Sequence, residues 1–256
     1  MASIIPFPAL KDNYIWLLTD INHRYAAIVD PSKAEPILDY LEQNTLTPIA
    51  ILITHHHWDH VGGIEDIIQH YTIPVYTPAN ETVTCSTHPV KEGDIVSLNE
   101  INLSLSVIDV PGHTAGAVAY YSDTVVFSGD TLFTAGCGRM FEGTPVQMHH
   151  SLEKFKTLNR QSLLYCGHEY TEANLQFALA VEPDNEAIKD RLLDVKRLRE
   201  QNKPSVPSNI SIELETNPFL RCREASVIKA ASNYIGESIH QPHEVFAVIR
   251  QWKDNF

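Results

Sequence analysis

The chain has 256 residues, is 43% hydrophobic and 20% charged, and carries a formal net charge of −13. That composition supports one large folded domain, or a domain of about 150–170 residues with an appendage, and excludes a disordered chain. The acidic balance argues against a nucleic-acid or anionic-membrane partner, so cations gathered in one place would point to an anionic ligand.

The opening Met1-Ala2-Ser3-Ile4-Ile5-Pro6 has no basic region and no long apolar run, so no targeting segment is expected. No stretch reaches the roughly 18 apolar residues of a membrane span. Cys85, Cys137, Cys166 and Cys222 are scattered without a C-x-x-C pair, which reads as free thiols in a reducing compartment. A cytoplasmic protein acting as a monomer is the expectation.

The first informative strand, Tyr25–Val29, ends at Asp30 before Pro31-Ser32. The second, Ile49–Ile53, runs into Thr54-His55-His56-His57-Trp58-Asp59-His60 and then Val61-Gly62-Gly63. His55 and His57 are two apart, so in extended backbone they project to one side. His56 projects to the other and is not expected to be a ligand, while Asp59 and His60 lie past a bend and can serve a second ion. Imidazole and carboxylate on a short turn after a buried strand are the ligands zinc and similar ions take at about 2.0–2.2 Å.

Three further strands repeat this pattern of an apolar run, a glycine and a potential ligand. Leu105–Val110 leads to Pro111-Gly112-His113, Thr124–Ser128 to Gly129-Asp130, and Ser162–Cys166 to Gly167-His168-Glu169-Tyr170. Glycine at such points permits a sharp turn and a close backbone approach. The ends of several strands on one sheet edge can therefore present a single rigid site. The pair His149-His150 is assigned to a helix surface.

Beyond residue 170 the pattern becomes helical. Ile188, Leu192, Val195 and Leu198 form a stripe over Glu186–Asn202, broken by Pro204 and Pro207. Pro242 opens a last helix with Val245, Ile249, Trp252 and Phe256 in line, and Arg250 and Lys253 neighbour each other beside that stripe. Read alone, those two cations suit a solvated basic edge as well as a ligand contact.

The four strand-end blocks, in this order after the H-x-H-x-D-H turn, resemble the metallo-β-lactamase superfamily. Gly136-Cys137-Gly138-Arg139-Met140-Phe141-Glu142-Gly143-Thr144, Gly167-His168-Glu169-Tyr170-Thr171 and about ninety residues beyond resemble its glyoxalase II (hydroxyacylglutathione hydrolase) family along essentially the whole chain. The resemblance implies an α+β fold: a four-layer αββα sandwich over residues 1–169, followed by a helical, glutathione-binding domain over 170–256. It implies two divalent ions, zinc first with iron or manganese as alternatives. One would be held by His55, His57 and His113, the other by Asp59, His60 and His168, with Asp130 bridging them. The only nucleophile would be a metal-bridging hydroxide, since coordination lowers the pKa of water from near 15.7 toward about 7.

For Asp30 two roles stay open, as a cap on the next helix or as a hydrogen-bond partner behind a ligating histidine. Arg139, Phe141, Tyr170, Arg250 and Lys253 would bind the glutathione part of a thioester, the last two at its glycine carboxylate. Some relatives carry Tyr at the position of Phe141, so a hydroxyl contact is absent there. The implied reaction is hydrolysis of S-(2-hydroxyacyl)glutathione, chiefly S-D-lactoylglutathione, to glutathione and D-lactate, the second step of methylglyoxal detoxification. The alternatives are another hydrolase of the superfamily, such as a lactonase or general thioesterase, and a flavodiiron-like oxidoreductase. The second would need a flavin domain that this sequence lacks.

Overall fold

The structure is a computed structural model and describes residues 3–256. Two six-stranded mixed sheets form its centre. The first runs in the order β1 (Ser3–Ala9), β2 (Asn13–Thr19), β3 (Tyr25–Val29), β4 (Thr47–Leu52), β5 (Val75–Pro78), β6 (His88–Val90). The second contains β7 (Ile95–Leu98), β8 (Leu103–Asp109), β9 (Val118–Tyr121), β10 (Val125–Gly129), β13 (Leu163–Cys166) and β14 (Ser208–Asn209), with β13 between β10 and β14. A small hairpin, β11 (Leu132–Phe133) with β12 (Gly136–Cys137), projects from the end of β10.

Strand alternation sorts the apolar residues into layers. From β2 to β4, Tyr14, Trp16, Leu18, Val29 and Leu52 face the other sheet and meet Leu105, Val107, Tyr120 and Phe127 from it. Their sequence neighbours Ile15, Leu17, Ile28 and Ile51 face outward, where Ile37 and Leu41 of α1 (Glu35–Asn44) and Ile64 and Ile67 of α3 (Ile64–His70) cover them. Strands covered on both faces read as continuous apolar runs, as these do. The outer face of the second sheet packs against α4 (Pro145–Phe155) and α9 (Pro242–Asp254) through Met148, Leu152, Phe246 and Ile249. The result is the expected αββα sandwich.

The remaining helices are α2 (Trp58–Val61), α5 (Thr171–Val181), α6 (Glu186–Glu200), α7 (Ile210–Thr216) and α8 (Ala225–Ile235). In α6 the predicted stripe buries Ile188, Leu192 and Val195, while Leu198 stays exposed past the end of the supporting surface. In α9 Val245 and Ile249 are buried and Phe256 lies beyond the helix, exposed but edge-on to Phe177 at 5.4 Å. The C-terminal segment is not a separate layer, since β14 extends the second sheet by pairing with β13.

Two expectations change. His149 is buried beside Phe246 rather than on the surface, because α9 covers the outer side of α4, whereas His150 is exposed. Arg250 lies within the α9 stripe, not beside it, and is 3% exposed. All four cysteines are free, with only Cys85 partly exposed. No helix among the described residues is long and apolar enough to cross a membrane.

Candidate active site

The C-terminal ends of β4, β8, β10 and β13 open onto one edge of the sandwich. Each hands the chain to a loop that carries one of the predicted blocks. Gly62-Gly63 follows the histidine turn, and a Cβ on Gly63 would sit 2.5 Å from the carbonyl carbon of Lys33, so only glycine lets that turn pass the 31–34 loop. A Cβ on Gly167 would lie 2.3 Å from Asp130 Oδ1 and 2.7 Å from His60 Cε1, which fixes glycine as the residue before His168.

All seven predicted ligand residues converge there. One ligand atom from each of His55, His57 and His113 lies within 4.8 Å of the other two, and the same holds for Asp59, His60 and His168. Asp130 stands between the trios: Oδ1 is 3.4 Å from His60 Nε2, while Oδ2 is 3.6 Å from His113 Nε2 and 3.1 Å from His168 Nε2. Ligands around a tetrahedral ion at about 2.1 Å are themselves about 3.4 Å apart, so these separations suit one ion per trio with a shared carboxylate.

Four of the five rings have Nδ1 engaged behind the site. Thr54 Oγ1 donates to Asp30 Oδ2 at 2.7 Å, so at 3.0 Å it can accept only from the Nδ1–H of His55. His60 Nδ1 donates to Asp30 Oδ2 at 3.0 Å, His113 Nδ1 to the Arg139 carbonyl at 2.8 Å, and His168 Nδ1 to Asp12 Oδ1 at 2.8 Å. Each acceptor fixes a tautomer with the Nε2 lone pair turned inward, the support a metal-ligating imidazole requires. The fifth ring, His57, turns Nδ1 inward, 2.9 Å from His113 Nε2. Buried and without a hydrogen-bond partner among the described residues are His55 Nε2, His60 Nε2 and Asp130 Oδ1. Orphaned acceptors of this kind, aimed at one point, fit divalent cations.

Asp30 resolves into one of its two open roles. Its carboxylate accepts from Thr54 N, Thr54 Oγ1 and His60 Nδ1, and it caps no helix, since α1 begins after Ala34.

The charge states of the first trio agree with metal ligation. Burial pushes the pKa values of His55, His57 and His113 below the usual imidazole range, so these rings are neutral, the form that binds metal. Burial acts the same way on His60 and His168, but there the Asp130 carboxylate outweighs it and raises both. Asp130 in turn is held well below the carboxylate range by those two rings despite its burial.

An open cleft of about 500 Å³ leads from this cluster. His57, Asp59, His113, Asp130 and His168 form its floor, and the five predicted substrate residues are all on its walls. Tyr170 stacks on His168 with centroids 4.8 Å apart and planes at 5°, and burial raises its phenol pKa. Phe141 is 65% exposed and meets His57 and His113 edge-on. The Arg139 guanidinium reaches Asp254 at 3.4 Å and is otherwise largely free. Lys253 lies over the Phe177 ring. Arg250 donates from Nη1 to the Cys137 carbonyl at 2.8 Å and from Nη2 to Asp254 at 3.0 Å, while its buried Nε has no partner among the described residues. A larger cleft of about 1070 Å³ beside α8 contains none of these residues.

Sequence reasoning missed three groups. Asp12 and Asn13 stand at the entry to β2, whereas the local pattern marks strand ends. His56 turns away from the ions, as expected, yet it bridges Glu81 at 3.0 Å and Glu142 at 3.3 Å. Glu142 also accepts from Ala115 N at 2.8 Å, so it ties the His113 loop to the loop bearing Arg139 and Phe141. The pair with Glu142, partly exposed on both sides, contributes about 1 kcal/mol or less. His56→Ala is therefore expected to raise KM a few-fold while metal content, read by elemental analysis, stays unchanged.

Comparison with known proteins finds relatives along the whole chain. Residues 12–168 match the metallo-beta-lactamase superfamily, and residues 169–256 match the family described as hydroxyacylglutathione hydrolase C-terminus. Hydroxyacylglutathione hydrolases of Methylobacillus flagellatus and Nitrosomonas eutropha are 50% and 48% identical over 256 residues, with both chains covered completely. Among solved structures, ETHE1 from Myxococcus xanthus superposes with a TM-score of 0.68 at 23% identity, covering 98% of this chain and 91% of that one. The BLEG-1 B3 metallo-beta-lactamase gives 0.62 at 25% identity, covering 86% and 99%. The two family matches, with full-length relatives at 48% and 50% identity, show that the chain belongs to the hydroxyacylglutathione hydrolase (glyoxalase II) family of the metallo-β-lactamase superfamily.

Proposed function

We infer that the protein hydrolyses S-(2-hydroxyacyl)glutathione, chiefly S-D-lactoylglutathione, to glutathione and D-lactate. The observation that carries this reading is the cleft that joins the histidine–aspartate cluster to Arg139, Arg250 and Lys253. In a chain of net charge −13, a wall with three cations suits an anionic substrate such as a glutathione thioester.

His55, His57 and His113 would hold one divalent ion, and Asp59, His60 and His168 the other, with Asp130 shared. Zinc is the first choice and iron or manganese are alternatives, since this donor set accepts all three. Two such ions, when bound, supply hydroxide at neutral pH and polarise the carbonyl under attack. The protein's own groups then have limited work to do. Residues 170–256 and the 138–143 loop bind and orient the glutathionyl part: Lys253 with Arg250 nearby faces the glycine carboxylate, and Phe141 and Tyr170 border the thioester. The leaving thiolate has a conjugate-acid pKa near 8.5, by analogy with cysteine, so it departs without a strong general acid. That matches a floor made almost entirely of ligand residues. We read the protein as a cytoplasmic monomer, on its unpaired thiols and acidic charge.

The test is turnover of S-D-lactoylglutathione beside a simple lactone and a β-lactam, with elemental analysis of the same preparation. The expected result is two ions per chain and a strong preference for the thioester. Equal turnover of either competitor, or activity that survives exhaustive chelation, would overturn the reading.

A further inference from the structure

The turn between β1 and β2 passes directly beneath the second trio. Leu10 takes a left-handed backbone conformation there, with φ of 51°. The chain then pairs with the segment around His168: Tyr14 N donates to the Gly167 carbonyl at 2.8 Å, Glu169 N donates to the Asp12 carbonyl at 2.9 Å, and Asn13 bridges His168 in antiparallel fashion. This pairing places Asn13, which is 5% exposed, with its amide inside the site.

The amide nitrogen spends both hydrogens on one residue. Nδ2 donates to the Asp59 carbonyl at 3.1 Å and to Asp59 Oδ2 at 3.0 Å, and it lies 3.5 Å from His168 Nε2. Asp59 sits in the first turn of α2, a helix of four residues, and nothing else in the hydrogen-bond network reaches its carboxylate among the described residues. Asn13 therefore grips Asp59 at backbone and side chain together, fixing its rotamer with Oδ2 3.6 Å from His168 Nε2 and 3.8 Å from His60 Nε2. Asp12, the adjacent residue, orients His168. The first trio depends on other supports, Thr54 for His55 and the Arg139 carbonyl for His113.

We propose that Asn13 is a positioning residue for the second ion, holding Asp59 in its ligating rotamer through a contact that the first trio does not share. This role rests on the two-ion reading above. Groups behind a ligand typically change metal affinity about 10- to 100-fold when lost. Asn13→Leu keeps the shape of the side chain and removes both donors.

The experiment is titration of the metal-free full-length protein with zinc against a chromophoric chelator, alongside steady-state kinetics. Wild type should take up two ions. The Leu variant should bind the first with unchanged affinity and the second about 10- to 100-fold more weakly. Its kcat should fall at subsaturating zinc while KM holds, because the cations facing the substrate come from other elements. Asn13→Ala removes the same donors with less bulk and should behave alike if leucine is not accommodated.

Equal weakening of both ions would mean a general structural role, and unchanged affinities would mean no role, so either overturns the proposal while the two-ion reading stands. A wild type that binds one ion would remove that reading and this role with it.

Discussion

Asp130→Asn is expected to lower kcat/KM for S-D-lactoylglutathione by about 1000-fold or more. The substitution keeps the shape of the side chain and removes the one carboxylate placed between the two trios, within 3.1–3.6 Å of His168, His60 and His113. An amide presents one neutral oxygen and one NH2 group, so it cannot offer a negative oxygen to each side. Divalent ions contribute several kcal/mol of charge stabilisation in reactions of this kind. Losing about 4 kcal/mol corresponds to roughly three decades in rate. Metal analysis of the variant separates the two ways of losing activity: fewer than two ions shows a failure of binding, and two ions with little turnover shows a failure of placement. A variant that kept both ions and more than a tenth of the activity would remove Asp130 from the shared position.

How much of this was legible in the sequence depends on where each residue stands relative to a strand. The ligand residues follow apolar runs and glycines, and a strand fixes the direction of whatever leaves its end. His55, His113, Asp130 and His168 were therefore legible before their distances were known. Asp12 and Asn13 enter a strand instead, and their contacts to His168 and Asp59 span 156 and 46 residues, which no local pattern records. The role of Asp30 needed coordinates for the same reason, since it depends on a contact 30 residues away to His60. The helical stripes gave the C-terminal core but not the depth of its polar members. A stripe reports which face is covered, and Arg250 lies on the covered side because its guanidinium finds the Cys137 carbonyl there.

That burial changes what the two α9 cations are expected to do. Arg250→Ala should raise KM and also destabilise the protein, by about 3 kcal/mol, because it leaves the Cys137 carbonyl unpaired and a cavity over Phe219. The raised KM arises through the β11–β12 hairpin, which leads into Gly138-Arg139. Lys253 behaves differently. Burial first, and the Arg250 charge second, bring its ammonium pKa down to about 8.

A base with a lowered folded pKa is held charged at a cost below that value. Between about pH 8 and 10.5 the unfolded chain carries the extra proton, so stability rises with pH across that window. Binding of a carboxylate moves the other way, because the ammonium it needs is lost above pH 8. Lys253→Met removes the charge and retains the chain over Phe177. It should stabilise the protein at neutral pH by about 1 kcal/mol after allowance for solvent at its partly exposed end, a rise of about 2–4 °C in Tm. It should also raise KM about 10- to 100-fold, the effect of one lost charge-assisted hydrogen bond, with kcat nearly constant. Wild-type KM should climb through pH 8, and the variant's should not. Thermal melts and KM profiles from pH 7 to 9.5 read both effects. A lysine whose removal left Tm and the KM profile unchanged would be the solvated edge that α9 could equally have presented, and the glycine carboxylate would then have to be bound by Arg139.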